Sequence, residues 1–223
     1  LLSSPHYGER WGRHWLDVAR FGESHGYESD NERPTAWTYR DAVIRALNED
    51  MPFDRFVRWQ VAGDVLQGDD PLATALTGFI TAGSTVTNVD GVDRERATYD
   101  KMDDIVSATG AAFLGLTIGC ARCHDHKYDP ISQEDYYRLV GFFLPGKAGD
   151  RNIAIGNSGA NVKALIWHGG NKRSNPVLKR GDVEQKGDDV GYGVLSALDP
   201  GEADMKRRIE VIGKESRDGR TGL

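Results

Sequence analysis

Cysteine is almost absent from this chain. There are two in 223 residues, at Cys120 and Cys123, so no disulfide framework spans the fold. Methionine is scarce as well, with three. No apolar run approaches the ~18 residues of a membrane-crossing helix, which excludes a span within this chain. An excess of basic charge is missing too: 28 Lys and Arg against 34 Asp and Glu leave a net charge of −6, so nothing suggests a nucleic-acid footprint or a polybasic membrane patch. Internal repeats are absent. The first residues, Leu1-Leu2-Ser3-Ser4, show neither an initiating methionine nor a signal peptide, and the chain stops at Thr221-Gly222-Leu223 without a closing element. The expectation is a fragment or processed product of a longer polypeptide. With 39% hydrophobic and 28% charged residues, the remainder reads as a globular protein large enough for a substantial core.

The two cysteines are spent together, in Gly119-Cys120-Ala121-Arg122-Cys123-His124-Asp125-His126-Lys127-Tyr128-Asp129-Pro130. Cys120 to His124 is Cys-x-x-Cys-His, the attachment pattern of a c-type haem. Thiols at this spacing reach the two vinyl groups of one porphyrin edge, and the following histidine offers its imidazole to the iron. Three alternatives stay open. Zinc accepts Cys120, Cys123, His124 and His126 as ligand types, but structural zinc usually draws ligand pairs from separate segments. A redox dithiol normally sits where a strand enters a helix, and Ala111 to Ile118 reads as a helix end. A short-loop disulfide beside a surface histidine is the plainest reading. If haem is attached, His126 lies too close in sequence to ligate the opposite face and serves as an outer partner, while Arg122 and Lys127 are candidate propionate contacts. The distal candidates are His14 first, then His25, His168 and Met102; core filling is the default for Met102.

The expected architecture is mainly α (α+β): an irregular helical domain over residues 1–147 around the Cys-x-x-Cys-His loop, and a small glycine-rich β or extended region over 148–223. Ser4-Pro5 reads as the start of a helix with Tyr7, Trp11, Trp15 and Val18 on a buried face. Helices follow from about Thr35 to Asn48, Phe53 to Ala62, Asp70-Pro71 to Ile80, and Arg94 to Leu116. Ser132-Gln133-Glu134-Asp135 is a capping box opening one more. Fifteen of the 27 glycines lie from Gly141 onward. There Val162 to Trp167 alternates like a strand, Val177-Leu178 and Val190 to Leu195 are weaker strand signals, and Met205 to Ile212 starts a further helix. Calcium is weakly supported at Glu28, Asp30 and Glu32, and at Asn88, Asp90 and Asp93, none with a full loop pattern.

Several stretches together resemble a known family: Ser4-Pro5-His6-Tyr7-Gly8-Glu9-Arg10-Trp11 with His14-Trp15-Leu16-Asp17; Ala36-Trp37-Thr38-Tyr39-Arg40-Asp41, Pro52 to Phe56 and Ala62-Gly63-Asp64; and Gly119 to Lys127 through Asp129-Pro130-Ile131. Their order is similar to the uncharacterised cytochrome-like domain of large secreted planctomycete proteins, often found between a small cytochrome c domain and a second domain of unknown function. The resemblance implies export, haem carried by Cys120, Cys123 and His124, and other haem or redox domains of the same polypeptide or complex as partners. It marks His14, Asp17, Arg40, Asp41, Asp64 and His126 as motif positions without roles. The functional expectation is a c-type haem redox module, for electron transfer or a haem-dependent oxidoreductase, in the periplasm or outside the cell. The compartment rests on the haem. The alternative is a zinc-stabilised binding module whose tryptophans stack on glycans.

Overall fold

A computed structural model describes residues 1–27, 30–87, 89, 93–155 and 160–196. Among the described residues about 49% are helical, in six α-helices with short 3₁₀ and π turns, beside two small antiparallel sheets, which agrees with the mainly α expectation. The helices are α1 (Tyr7–Val18), α2 (Trp37–Asn48), α3 (Phe53–Leu66), α4 (Pro71–Leu76), α5 (Asp93–Thr109) and α6 (Gln133–Phe143). Short 3₁₀ turns cover Thr77–Thr81, Ile118–Arg122 and Lys179–Gly181, and one π turn, Gly110–Leu114, extends α5. No described helix is long and apolar enough to cross a membrane. The segment Met205 to Ile212 lies outside the described residues.

Local chemistry sets two of the helix starts. Asp70 accepts from the amides of Leu72 (2.8 Å) and Ala73 (3.3 Å), with Pro71 at the first helical position of α4. Ser132 and Asp135 form the reciprocal capping box of α6. At α1 the helix begins later than expected, at Tyr7 with no side-chain cap from His6, while Ser4 accepts the His6 amide on its hydroxyl (3.3 Å) and the Tyr7 amide on its carbonyl (3.0 Å) in the turn ahead of it. Its buried face also differs. Trp11 is 52% exposed and Val18 46%, whereas Gly8 and Gly12 are buried against α2. A Cβ on Gly8 would stand 2.2 Å from the Ile44 carbonyl, so the two helices meet backbone to backbone. Apolar periodicity cannot register a glycine seam. Trp15 alone of that stripe packs inward, within 4.8–6.0 Å of the Phe56, Phe79 and Phe113 rings. Its indole N–H donates to Tyr39 (2.9 Å), whose hydroxyl donates to the buried Gln60 (2.8 Å). Phe53, the first residue of α3, is 66% exposed.

Where α3 was expected to end, at Ala62, the backbone leaves helical geometry and then resumes to Leu66. The break lets Gly63 pass the Ala73 carbonyl, which a Cβ would approach to 2.1 Å. β1 (Lys147–Ile155) pairs with β2 (Ala160–His168), and β3 (Pro176–Leu178) with β4 (Lys186–Asp189), both antiparallel. β1 escapes a hydrophobic reading because Lys147 and Asp150-Arg151-Asn152 interrupt its apolar residues, and β4 because Lys186, Asp188 and Asp189 leave it none. The strand expected over Val190 to Leu195 is not formed. Gly191 takes a left-handed φ of 63°, and the segment runs beside α6, with Ser196 donating twice to Asp135 Oδ1. One continuous core joins Val43, Leu76, Phe79, Ile105, Tyr137 and Val140 to Ile166 of β2 and Leu178 of β3.

Candidate functional site

The Cys120–Ile131 segment lies between α5 and α6, with β3 behind it. Gly115 (φ 66°) reverses the chain after the π turn. Ile118 then plugs the space over Gly110, where a Cβ would lie 2.2 Å from its Cδ1. Gly119 presses on α5, since a Cβ there would meet Ser107 Oγ at 2.8 Å. In the 3₁₀ turn that follows, Cys120 is exposed and Ala121 fully buried. Arg122 turns inward: Nη2 donates to Asp100 Oδ1 at 2.6 Å, and Nη1 lies 3.6 Å from Asp103 Oδ2. Burial, reinforced by Asp103, pushes the Tyr136 phenol far above its ordinary range, so it is a standing donor to Asp103 Oδ1 at 2.6 Å. The Arg122 carbonyl accepts from Gln133 Nε2 (2.9 Å) and the Tyr137 hydroxyl (3.1 Å). Gln133 Nε2 also donates to Leu178 (2.9 Å), tying the loop to β3.

Cys123 is exposed, and both thiols are free. Behind Cys123 stands Gly181, in a left-handed conformation (φ 75°); a Cβ there would sit 3.0 Å from the sulfur. His124 is exposed, with Nδ1 2.7 Å from the Asp125 carbonyl. A carbonyl only accepts, so Nδ1 carries the proton and Nε2 the lone pair. Asp125 Oδ1 accepts the Gln133 amide (2.8 Å) at the positive end of α6. His126 behaves differently. Its side chain is 7% exposed, its amide donates to Ile131 (2.8 Å), and its Nδ1 accepts the Asp129 amide (2.9 Å). Asp129 Oδ2 is 3.2 Å from the same nitrogen, but an ion pair would need a proton where the amide N–H already points. The amide contact decides: His126 organises the loop and carries its proton on Nε2. Lys127 is exposed and lies over the Tyr128 ring at 5.1 Å.

The remaining candidates sit on other elements. His14 is exposed on α1, its Nε2 2.7 Å from Arg10 Nη1 and its ring 5.4 Å from Trp11. His25 precedes α2 on a half-buried connection, and His168 closes β2 beside Gly149. Met102 is 2% exposed in the core of α5. Arg122 is committed to α5 carboxylates, which leaves Lys127 as the freer cation of the pair. Of the calcium candidates, Asp30 accepts from the Gly26 amide and Asp93 opens α5; Glu28, Asn88 and Asp90 lie outside the described residues. Among the described residues no group of three or more His, Cys, Asp or Glu gathers in a way that could hold a metal ion. Sequence reasoning missed Asp100, Asp103, Gln133, Tyr137 and Gly181, all fixed to the loop by long-range contacts that no local pattern announces.

No curated protein and no solved structure matches the chain. A family model does, over residues 1–147: PSCyt2, protein of unknown function (DUF1549). That match takes in α1 to α6 and the whole Cys120–Ile131 loop, and the chain belongs to the PSCyt2 family, a planctomycete-type domain of unknown function.

Proposed function

We propose that Cys120-Ala121-Arg122-Cys123-His124 is a c-type haem attachment site and that the chain is a redox module of a larger exported protein. The observation that carries this reading is the division of labour in the loop. Ala121, Arg122, Asp125 and His126 are consumed by packing and hydrogen bonds, while Cys120, Cys123 and His124 face outward. The donor set fits the group. Two free exposed thiols would form the thioethers, and His124 Nε2, with its lone pair, would be the proximal ligand. The Nδ1–H bond to the Asp125 carbonyl fixes the tautomer and orientation that an iron-binding imidazole needs. Lys127 would hold a propionate. A bound haem would supply one-electron chemistry, with its axial ligands deciding between electron transfer and reaction with a small molecule.

Other haem or redox domains of the same polypeptide or complex are the partners this reading implies, and a periplasmic or extracellular location follows from covalent attachment. The test is an absorption spectrum and pyridine haemochrome of the chain produced with a c-type maturation system. A two-thioether α-band that is lost in C120A/C123A supports the proposal. A matured preparation without haem overturns it, and stoichiometric zinc in that preparation would support the binding-module reading instead.

A further inference from the structure

A cleft opens where the end of α6 meets the exit of β2. Its apolar half, about 430 Å³, runs along Val61 and Val65 of α3, Ile80, and Leu139 and Phe143 of α6. Its polar half, about 400 Å³, is lined by Lys172, Arg173, Asn175 and Tyr192. Phe142, Trp167 and Gly169 line both halves and join them. Close glycine contacts build the junction. A Cβ on Gly146 would collide with Trp167 Nε1, and one on Gly170 with the Pro145 carbonyl. No side chain is left there to fill the space. Gly169 is the opposite case, since its Cβ would meet nothing within 4 Å.

The fold makes little use of the groups that face this space. Val65, Phe142 and Tyr192 are exposed, the last two with ring centroids 5.4 Å apart. Trp167 spends its indole N–H on the Phe143 carbonyl (3.1 Å), which leaves the ring as an apolar wall. Lys172 and Arg173 are exposed, and among the described residues neither is in an ion pair. Lys172 acts on Asp189 through its charge, but that carboxylate already accepts the amides of Asn175 (3.2 Å) and Gly191 (3.0 Å). Asp64, the carboxylate of the apolar half, faces Arg151 at 3.9 Å. Asn175, 1% exposed, donates to the Tyr137 and Gly191 carbonyls, and its Oδ1 is buried without a partner. A buried acceptor normally has one, so the polar half is incomplete as it stands.

We propose that this cleft binds a small aromatic carboxylate, its ring system on Trp167 and Phe142 and its anionic group toward Lys172 and Arg173. The site is independent of the haem reading. Its size and its mix of apolar walls with a few polar groups are those of small-molecule sites. Three aromatic side chains beside the junction favour a flat ring system over a flexible chain, because ring contacts add to area burial and a rigid ligand loses less freedom on binding. Charge sets the direction: two unpaired cations stand in one half, and the carboxylate of the other half already faces an arginine.

Calorimetric titration of the chain with naphthoate tests this, against its neutral counterpart naphthylmethanol and the flexible-chain acid decanoate. Naphthoate should saturate with a Kd below about 1 mM, and both controls should bind at least about tenfold more weakly. G169F, whose Cβ meets nothing and whose ring would occupy the cleft, should abolish binding with unchanged circular dichroism. K172Q/R173Q should weaken naphthoate roughly tenfold and leave the alcohol where it was. Absence of saturation below about 10 mM naphthoate overturns the proposal, as does native affinity in a folded G169F or K172Q/R173Q. Either control binding as tightly as naphthoate overturns the class assigned. If a variant fails to fold, the native protein still decides. Naphthoate should shift the NMR signals of the Trp167 indole N–H and the Gly169 and Gly170 amides; shifts confined to other residues overturn the site.

Discussion

Lys101 Nζ donates to the carbonyls of Gly83 (3.2 Å) and Ser84 (3.1 Å), and replacing it with methionine isolates the electrostatic cost of the Gly83 turn. The lysine side chain is 13% exposed. Burial, with Arg20 and Arg33 adding to it and Asp104 opposing, pulls its pKa from 10.5 down to about 8. An unfolded chain keeps this proton to about pH 10.5, and the folded chain only to about pH 8, so between those values the unfolded state binds more protons and stability rises with pH. Below about pH 8 both states are protonated and the folded state bears the whole cost, which the gap converts to about 3 kcal/mol as an order of magnitude. Methionine keeps much of the stem, loses the two carbonyl hydrogen bonds at about 1 kcal/mol each, and carries no charge. The expected outcome near pH 7 is therefore a K101M protein about as stable as the native one, or more so. Urea unfolding from about pH 7 to pH 10.5 reads the difference, in which every other titrating group cancels. Native stability should gain up to about 3 kcal/mol on K101M across that range. The groups facing Lys101 are Arg20, Arg33, Asp104 and His25, whose own pKa is lowered by burial and by Arg33 and Lys101. Parallel profiles for the two proteins would refute the reasoning.

R122M should free Asp100 and Asp103 from the loop, cost about 1–2 kcal/mol, and lower the haem-to-protein ratio of a matured preparation; an unchanged ratio would show that α5 does not position the cysteines. G63A should cost about 2–4 kcal/mol in thermal unfolding, because its Cβ meets the Ala73 backbone, while G169A, with nothing within 4 Å, serves as the near-neutral control. H14A should leave the haem bands where they are: α1 packs on α2, the loop packs on α5, α6 and β3, and His14 Nε2 is held by Arg10. A changed spin state would instead make His14 the distal ligand. Asp135, buried yet held below its ordinary pKa because its bonds to Ser196 and Ser132 outweigh desolvation, stabilises the fold above the unfolded carboxylate pKa. Native stability should fall through the acid range more steeply than that of D135N, as unfolding at decreasing pH would show.

Local signals carried the helical part of the fold well where chemistry is written into adjacent residues. The Asp70-Pro71 cap and the Ser132 capping box both follow from short-range pattern. The failures share a cause: the determining contact was distant or had no side chain. Gly8 and Gly12 decide how α1 packs, and a hydrophobic count sees nothing at either. Helical spacing alone places Trp11 on the buried face, yet it is 52% exposed. β1 forms because β2 offers it an antiparallel partner, not because Asp150-Arg151-Asn152 favours a strand. Arg33 gave no signal beyond its place before a proline, yet it anchors the Gly83 turn by donating to the Ala82 and Gly83 carbonyls.

The Cys120–Ile131 loop was legible as chemistry and illegible as structure, and that contrast bears on its role. A loop of structural purpose alone has no use for two outward thiols, since unpaired cysteine is among the most often buried residue types and an exposed one invites oxidation. Here the fold spends Gly119, Arg122, Asp125, His126 and Ile131 on fixing the backbone, and brings Asp100, Asp103, Gln133 and Tyr137 to the same task. What that effort holds in place is Cys120, Cys123 and an imidazole with its Nδ1 proton already committed. A disulfide would need only the sulfurs, and a zinc site would need a fourth ligand from another segment. Covalent haem attachment uses all three exposed groups, each in the state the loop gives it.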